Sequence, residues 1–208
     1  MNLPEKTIER LSQYRRTLLN CQANGQTHIF SHDLAALLNI TAVQVRRDIM
    51  FLGYTSVQRK GYDIADLVSV IGTLLDHNEV LNAAVVGMGH LGTAITTYFR
   101  GKRAKLDIVA TFDIDQNKIG QIIAGVKCYS KQQLDEVIKD LNISIGVITV
   151  PPENAADVAD KLVKAGVKGI LNFTTVPLNV SNNVYLEEFD MITSLEKVAY
   201  YVKKQKDK

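Results

Sequence analysis

Apolar positions along the 208-residue chain follow two rhythms, and the change falls near residue 80. From Pro4 to Leu75 the spacing is mainly helical. Ile8, Leu11, Leu18 and Leu19 predict a first helix after Pro4, ended at Asn24-Gly25, where glycine accepts the left-handed cap. Ser31 is the expected N-cap of a short second helix carrying Leu34, Leu37 and Leu38. Asn39-Ile40 reads as a turn, and Thr41 as the cap of a third helix running to about Leu52 before Gly53. Extended stretches at Thr55 to Gln58 and Tyr62 to Ile64 flank Arg59-Lys60-Gly61 and predict a hairpin. A fourth helix is expected from Asp66 to His77.

Beyond Leu81 short apolar runs alternate with amphipathic helices, the pattern of a parallel sheet covered by helices. Strands are expected at Ala83 to Val86, Asp107 to Phe112, Ile143 to Val150 and Val167 to Phe173. Ser130 and Gln133 make a capping box for a helix to Leu141. Another helix should run from Glu153 to Ala165 and stop at Gly166, and a last one carries Leu195, Val198, Ala199 and Val202. The expected class is α/β: an N-terminal winged helix-turn-helix, then a Rossmann-type doubly wound parallel sheet and a C-terminal helix.

Three short helices followed by a hairpin form the plan of a winged DNA reader. At 100° per residue, Ala42, Val45, Ile49 and Leu52 cluster inward on the third helix. Val43, Arg46, Arg47 and Met50 share another side, where adjacent arginines can reach guanine edges or hold phosphates. Met50 fits either that face or the core. With Gln44 beside them, these residues are the candidate DNA contacts, and Gln58, Arg59 and Lys60 at the wing tip complete the set. Charge agrees. Up to Tyr62 there are eight basic and four acidic residues, whereas the whole chain carries only a formal +2.

Ala84 to Gly92 reads AVVGMGHLG, so Gly87, Gly89 and Gly92 satisfy G-x-G-x-x-G between an apolar strand and a helix. Gly87 permits the tight turn, Gly89 lets the backbone approach a pyrophosphate, and Gly92 allows close helix–strand packing. The loop Gly87, Met88, Gly89, His90, Leu91, Gly92 is the candidate dinucleotide site, with the helix N-terminus adding positive potential. Asp113 ends the second strand, placed to bond the adenosine ribose hydroxyls of NAD and to repel a 2′-phosphate. Such a strand-end carboxylate is expected to face solvent. Thr149, Val150 and Pro151 end a strand at the carboxyl edge of the sheet, where ligands of such sheets bind. Tyr98 suits either the core or the ligand pocket.

Other features narrow the function. Cys21 and Cys128 are far apart with no surrounding Cys/His cluster, so neither a metal site nor a disulfide framework is expected. The opening MNLPEKTIER predicts no secretory leader, and no apolar run approaches the roughly 20 residues of a membrane helix. A cytoplasmic protein is expected. After Phe173 no His, Cys or Arg follows to serve a dehydrogenase as proton donor, so no enzyme activity is expected.

A DNA reader followed by an NAD fold and a terminal helix resembles the Rex family of redox-sensing transcriptional repressors. The resemblance is carried by IERLSQYRRTL (8–18), VRRD (45–48), KGY (60–62), VVGMGHLG (85–92), FDID (112–115), ITVP (148–151) and KGILNF (168–173). It implies a homodimer that binds double-stranded operator DNA with an inverted repeat and responds to NADH and NAD⁺, NADH releasing the DNA. It further implies three segments: a winged helix-turn-helix at 1–80, an NAD(H)-binding domain at 81–190, and a helix at 191–208 exchanged between subunits. By matching position, Arg16 and Asp190 form an intersubunit ion pair, Tyr98 is its switch partner, and Met191 faces the nicotinamide. The chain departs from the family pattern at Met50, where serine is usual, and in the wing, which has lost two glycines. It departs again at Thr174-Thr175, where Ala-Pro is usual, and at Met191, where an aromatic residue or leucine is common. Two rival readings are a small NAD-dependent oxidoreductase and a repressor sensing another nucleotide ligand such as coenzyme A.

Overall fold

The computed structural model describes residues 3–55, 60–76, 79–99 and 105–206. The chain divides into two compact units, Met1–Asn78 and Glu79–Lys208.

In the first unit α1 spans Glu5–Ala23, β1 His28–Ile29, α2 Ser31–Leu38, α3 Ala42–Phe51, β2 Tyr62–Asp63 and α4 Ile64–Leu75. Leu11, Tyr14 and Leu18 of α1 close over Leu34, Val45, Ile49, Leu67 and Ile71, all fully buried or nearly so. The second helix begins at Ser31 itself rather than being capped by it. Phe30 occupies the cap position, and its N–H donates to the Asp33 carboxylate at 3.3 Å. Thr41 does cap α3, its hydroxyl oxygen accepting from the Gln44 N–H at 3.2 Å. The fourth helix starts two residues early because Asp63 caps it, accepting from the Asp66 N–H at 2.9 Å. The extended stretch at Tyr62 pairs antiparallel with His28–Ile29, a strand too short for any alternation to announce. In the other arm of the expected hairpin Thr55 is not in a strand, and Ser56 to Gln58, with Arg59 of the turn, lie outside the described residues.

In the second unit β3 is Leu81–Val86, α5 His90–Phe99, β4 Leu106–Asp113, β5 Ile122–Ile123, β6 Val126–Ser130 and α6 Leu134–Asp140. Then follow β7 Ile143–Ile148, α7 Ala155–Ala165, β8 Gly169–Asn172, β9 Tyr185–Glu188 and α8 Met191–Lys206. The sheet order is β5-β6-β4-β3-β7-β8-β9, parallel throughout except that β5 runs antiparallel on β6. Leaving β5 aside, that is the Rossmann order, with the first strand central and the path reversing beside it. Alternation along β3 sorts its side chains. Ala84 and Val86 face a core built with Leu134, Val137, Val158 and Leu162 of α6 and α7, while Ala83 and Val85 face Ile95 of α5. Helices on both faces explain why the central strands read as continuous apolar runs. Strands β5, β6 and β9 were not expected; β9 is a half-exposed edge strand with polar Glu187 and Glu188.

Candidate functional site

The reversal point of the sheet forms a cleft at the carboxyl ends of β3, β4 and β7. Its cavity of about 390 Å³ is lined by Val86, Gly87, Gly89, Phe112, Asp113, Ile114, Lys118, Lys131, Thr149, Val150, Pro151, Asn154 and Val158. That volume lies within the range of small-molecule sites. Gly87 turns the chain at φ +99°, and a Cβ there would lie 2.8 Å from the Thr149 carbonyl oxygen. At Gly92 a Cβ would lie 2.0 Å from the Gly87 carbonyl oxygen, so the helix seats on the loop only with glycine. A Cβ at Gly89 would meet nothing within 4 Å, which leaves the loop open on the cleft side. The Thr149 hydroxyl donates to the carbonyls of Gly87 (2.7 Å) and Val86 (3.0 Å), tying the end of β7 to the loop. The first N–H groups of α5, which begins directly after the cavity-lining Gly89, have no intrahelical acceptor by helix geometry. An open backbone cradle, a helix start and a carboxylate at the next strand end fit a dinucleotide.

Asp113 departs from expectation. Its side chain is only 10% exposed. One oxygen accepts from the Met88 N–H (2.8 Å) and the Lys118 ammonium (3.0 Å); the other accepts from the N–H groups of Ile114 (2.7 Å) and Asp115 (3.0 Å). Burial pushes the carboxyl up, but these donors outweigh it and hold it below the ordinary carboxylate range. The carboxylate therefore builds the loop as well as facing the cleft. Lys118, which sequence pattern did not single out, is its partner.

The remaining nucleotide candidates divide. Gly87, Gly89, Asp113, Thr149, Val150 and Pro151 line the cavity together. The Met88 side chain is buried near the Thr96 hydroxyl, its N–H is taken by Asp113, and the residue is not part of the cavity lining. Leu91 packs half-buried against the same core, and His90 is exposed at the start of α5. Tyr98, 59% exposed and edge-on to Phe99, and Met191, the exposed first residue of α8, are not among the cavity lining.

On the first unit, α3 presents Val43, Arg46, Arg47 and Met50 to solvent, while Val45 and Ile49 are buried. Met50 is 73% exposed and belongs to the outer face, not the core. Arg46 donates to the Ser31 hydroxyl at 3.1 Å, which ties α3 to the start of α2. Lys60 is exposed. Gln44 turns inward: its amide donates to Asp48 at 2.9 Å. Asp48 is fully buried, gripped by Arg10 through two hydrogen bonds (2.6 and 2.7 Å) and by the Tyr14 hydroxyl at 2.7 Å. Burial raises its carboxyl, but the donors from Arg10, Tyr14 and Gln44 prevail and hold it below the usual range. Burial, and after it the same carboxylate, pushes the Tyr14 phenol far up.

Arg16 is exposed on α1. Asp190 caps α8, accepting from the N–H groups of Ile192 (2.8 Å) and Thr193 (3.2 Å) and from the Thr193 hydroxyl (2.5 Å). The helix it caps is exposed from Met191 to Lys204, with Leu195 70%, Val198 58% and Val202 50% accessible. Among the described residues no group of three or more His, Cys, Asp or Glu could hold a metal, and no helix is long and apolar enough to cross a membrane.

Two family models match: one described as a putative DNA-binding protein N-terminus over residues 2–49, and one described as a CoA binding domain over residues 78–176. A redox-sensing transcriptional repressor Rex of Carboxydothermus hydrogenoformans is 38% identical over 97% of this chain and 97% of its own. The Rex repressor of Bacillus licheniformis is 34% identical over 97% of this chain and 94% of its own. Among solved structures, the Rex-family repressor RSP in complex with β-NAD⁺ and operator DNA matches at a TM-score of 0.90. It shares 30% identity and covers 99% of this chain and 95% of that one. RSP in complex with β-NADH matches at a TM-score of 0.86, with 29% identity and coverage of 99% and 97%.

Proposed function

The chain belongs to the Rex family of redox-sensing transcriptional repressors, and we infer from this how its two sites are used. It is a DNA-binding repressor, not an enzyme, that senses the balance of NADH and NAD⁺. The observation that carries the reading is the joint presence in one chain of an exposed basic recognition helix and a dinucleotide cleft. Residues 1–80 serve as the winged helix-turn-helix, 81–190 as the nucleotide domain, and 191–208 as an exchanged helix.

In the cleft, Gly87, Gly89 and the first turn of α5 hold the pyrophosphate, Asp113 takes the adenosine ribose, and Thr149 to Pro151 form the facing wall. Arg47 and Arg46 read operator bases or phosphates from α3, with Val43 and Met50 beside them and Gln58, Arg59 and Lys60 on the flank. The apolar stripe of Leu195, Val198, Ala199 and Val202 supports a homodimer. Leaving four such residues in water costs several kcal/mol at about 25 cal/mol per Å², and a second copy of the chain covers them. A two-fold dimer reads an inverted repeat. The protein works in the cytoplasm. Asp190, with Arg16 and Tyr98, forms the contact that changes between the DNA-bound and released states, and Met191 faces the nicotinamide.

A ligand shifts such an equilibrium only by its differential affinity, so NADH must prefer the released state. The test is binding to an inverted-repeat operator of a Rex relative, titrated with each dinucleotide. NADH should lower DNA affinity at concentrations where NAD⁺ does not. Equal effects of the two would contradict redox sensing. A second reading, a coenzyme A sensor, has the family match over residues 78–176 in its favour. Release of DNA by coenzyme A but not by NADH would establish it.

A further inference from the structure

Asp48 is an anomaly in the recognition helix. It lies on the inward side with Val45 and Ile49, its side chain 1% exposed, and it is charged. A buried ion pair of this kind is often no more stabilising than apolar residues of the same volume. Core stability alone therefore gives little reason for a carboxylate here. What the pair supplies instead is direction. Val45 and Ile49 make apolar contacts, which are non-directional. The Arg10 fork is directional: two guanidinium donors meet the two carboxylate oxygens, at 2.6 and 2.7 Å, and the Tyr14 hydroxyl meets one of them from the next turn of α1. Arg10 is itself oriented by a bond to the Thr7 hydroxyl at 3.1 Å, and Gln44 closes the cluster from within α3.

Arg47 lies next to Asp48 in sequence, so it projects about 100° around the same helix. Side chains reach about 5 Å from a helix axis, so a rotation that moves the buried carboxylate by 1 Å moves the outer face by a similar distance. That is enough to break a bidentate contact to a base edge, while a flexible arginine still finds a phosphate. We propose that Arg10 and Tyr14, acting through Asp48, are positioning residues that fix the rotation of the recognition helix and thereby set operator specificity without touching DNA. The proposal rests on the operator-reading role given to α3.

The experiment compares the wild-type protein with Tyr14→Phe, Asp48→Asn and the apolar pair Arg10→Met with Asp48→Leu. Each is measured for affinity to an inverted-repeat operator and to an unrelated duplex of equal length, for salt dependence, for NADH affinity and for thermal unfolding. Asp48→Asn and the apolar pair should lose about tenfold in the ratio of operator to unrelated binding, the value of one good base contact. Unrelated binding, its salt slope and NADH affinity should hold. Tyr14→Phe, which removes one hydrogen bond, should lose less in the same ratio. The apolar pair is informative because it can restore folding stability without restoring orientation. A ratio within twofold of wild type in Tyr14→Phe and in whichever other variants fold would overturn the proposal and leave the pair a structural contact. A wild-type protein that does not distinguish the two duplexes would instead refute the operator-reading role itself.

Discussion

Replacing Asp113 by alanine separates the two duties of that carboxylate. In the fold it removes the acceptor of the Met88 N–H, a donor set under the glycine loop. A buried donor left without a partner costs about 1–3 kcal/mol. Losing the Lys118 contact at 3.0 Å adds little, about 0–1 kcal/mol, because that lysine is a third exposed and can turn to water. The N–H groups of Ile114 and Asp115 also lie where water can replace the lost acceptor. Asp113→Ala should therefore unfold about 1–4 kcal/mol more easily in urea. In the cleft it removes hydrogen bonds between a charged group and the ribose, about 1.5–3 kcal/mol, so NADH affinity by calorimetry should fall at least about tenfold. Discrimination against NADPH should narrow too, since no carboxylate would oppose the 2′-phosphate. The pH dependence has a definite sign. The folded carboxyl lies below its ordinary value, so its stabilisation is complete above that value and disappears as pH falls through the folded one. Wild type and variant should converge in strongly acidic solution. Wild-type stability together with wild-type NADH affinity in Asp113→Ala would refute both roles.

Three further outcomes follow from the same geometry. Gly92→Ala places a methyl group 2.0 Å from the Gly87 carbonyl, so the loop must shift; NADH binding should be lost by calorimetry while operator binding to α3 survives. Arg47→Ala should weaken operator binding by about 1–3 kcal/mol if the lost contact is to a base, with NADH affinity unchanged; unchanged DNA binding in both Arg47→Ala and Arg46→Ala would remove α3 from the interface. Truncation before Thr193 deletes the exposed stripe of α8 and should yield monomers or aggregates by light scattering; a stable DNA-binding dimer would exclude the exchange.

The legible parts of the molecule are those where a single element announces itself by period or spacing. The wheel of α3 placed Val45 and Ile49 inside and Arg46 and Arg47 outside, because one helix face carries that information. The glycine spacing located the cleft, since Gly87 and Gly92 each answer a local steric demand. Partnerships across elements were not legible. Lys118 follows β4 in a turn with no pattern of its own, so its bond to Asp113 emerges only when the turn folds back. Asp48 was not legible: on the wheel it lies as far from the centre of the inward face as the exposed Arg46, and its burial depends on Arg10 and Tyr14, one turn apart on α1. Strand β6 also carried a signal, with Val126 and Cys128 buried either side of exposed Lys127. Strands β1 and β5, two residues each, exist only through their partners.

The central claim is that one chain couples nucleotide binding to DNA binding. The direct measurement is NADH affinity with and without saturating operator. Coupling is reciprocal, so operator should weaken NADH binding by the same factor by which NADH weakens operator binding, and NAD⁺ should show a smaller factor. Asp190→Ala, if that residue carries the signal, should change this factor more than either separate affinity. NADH affinity that is identical with and without operator would contradict the account.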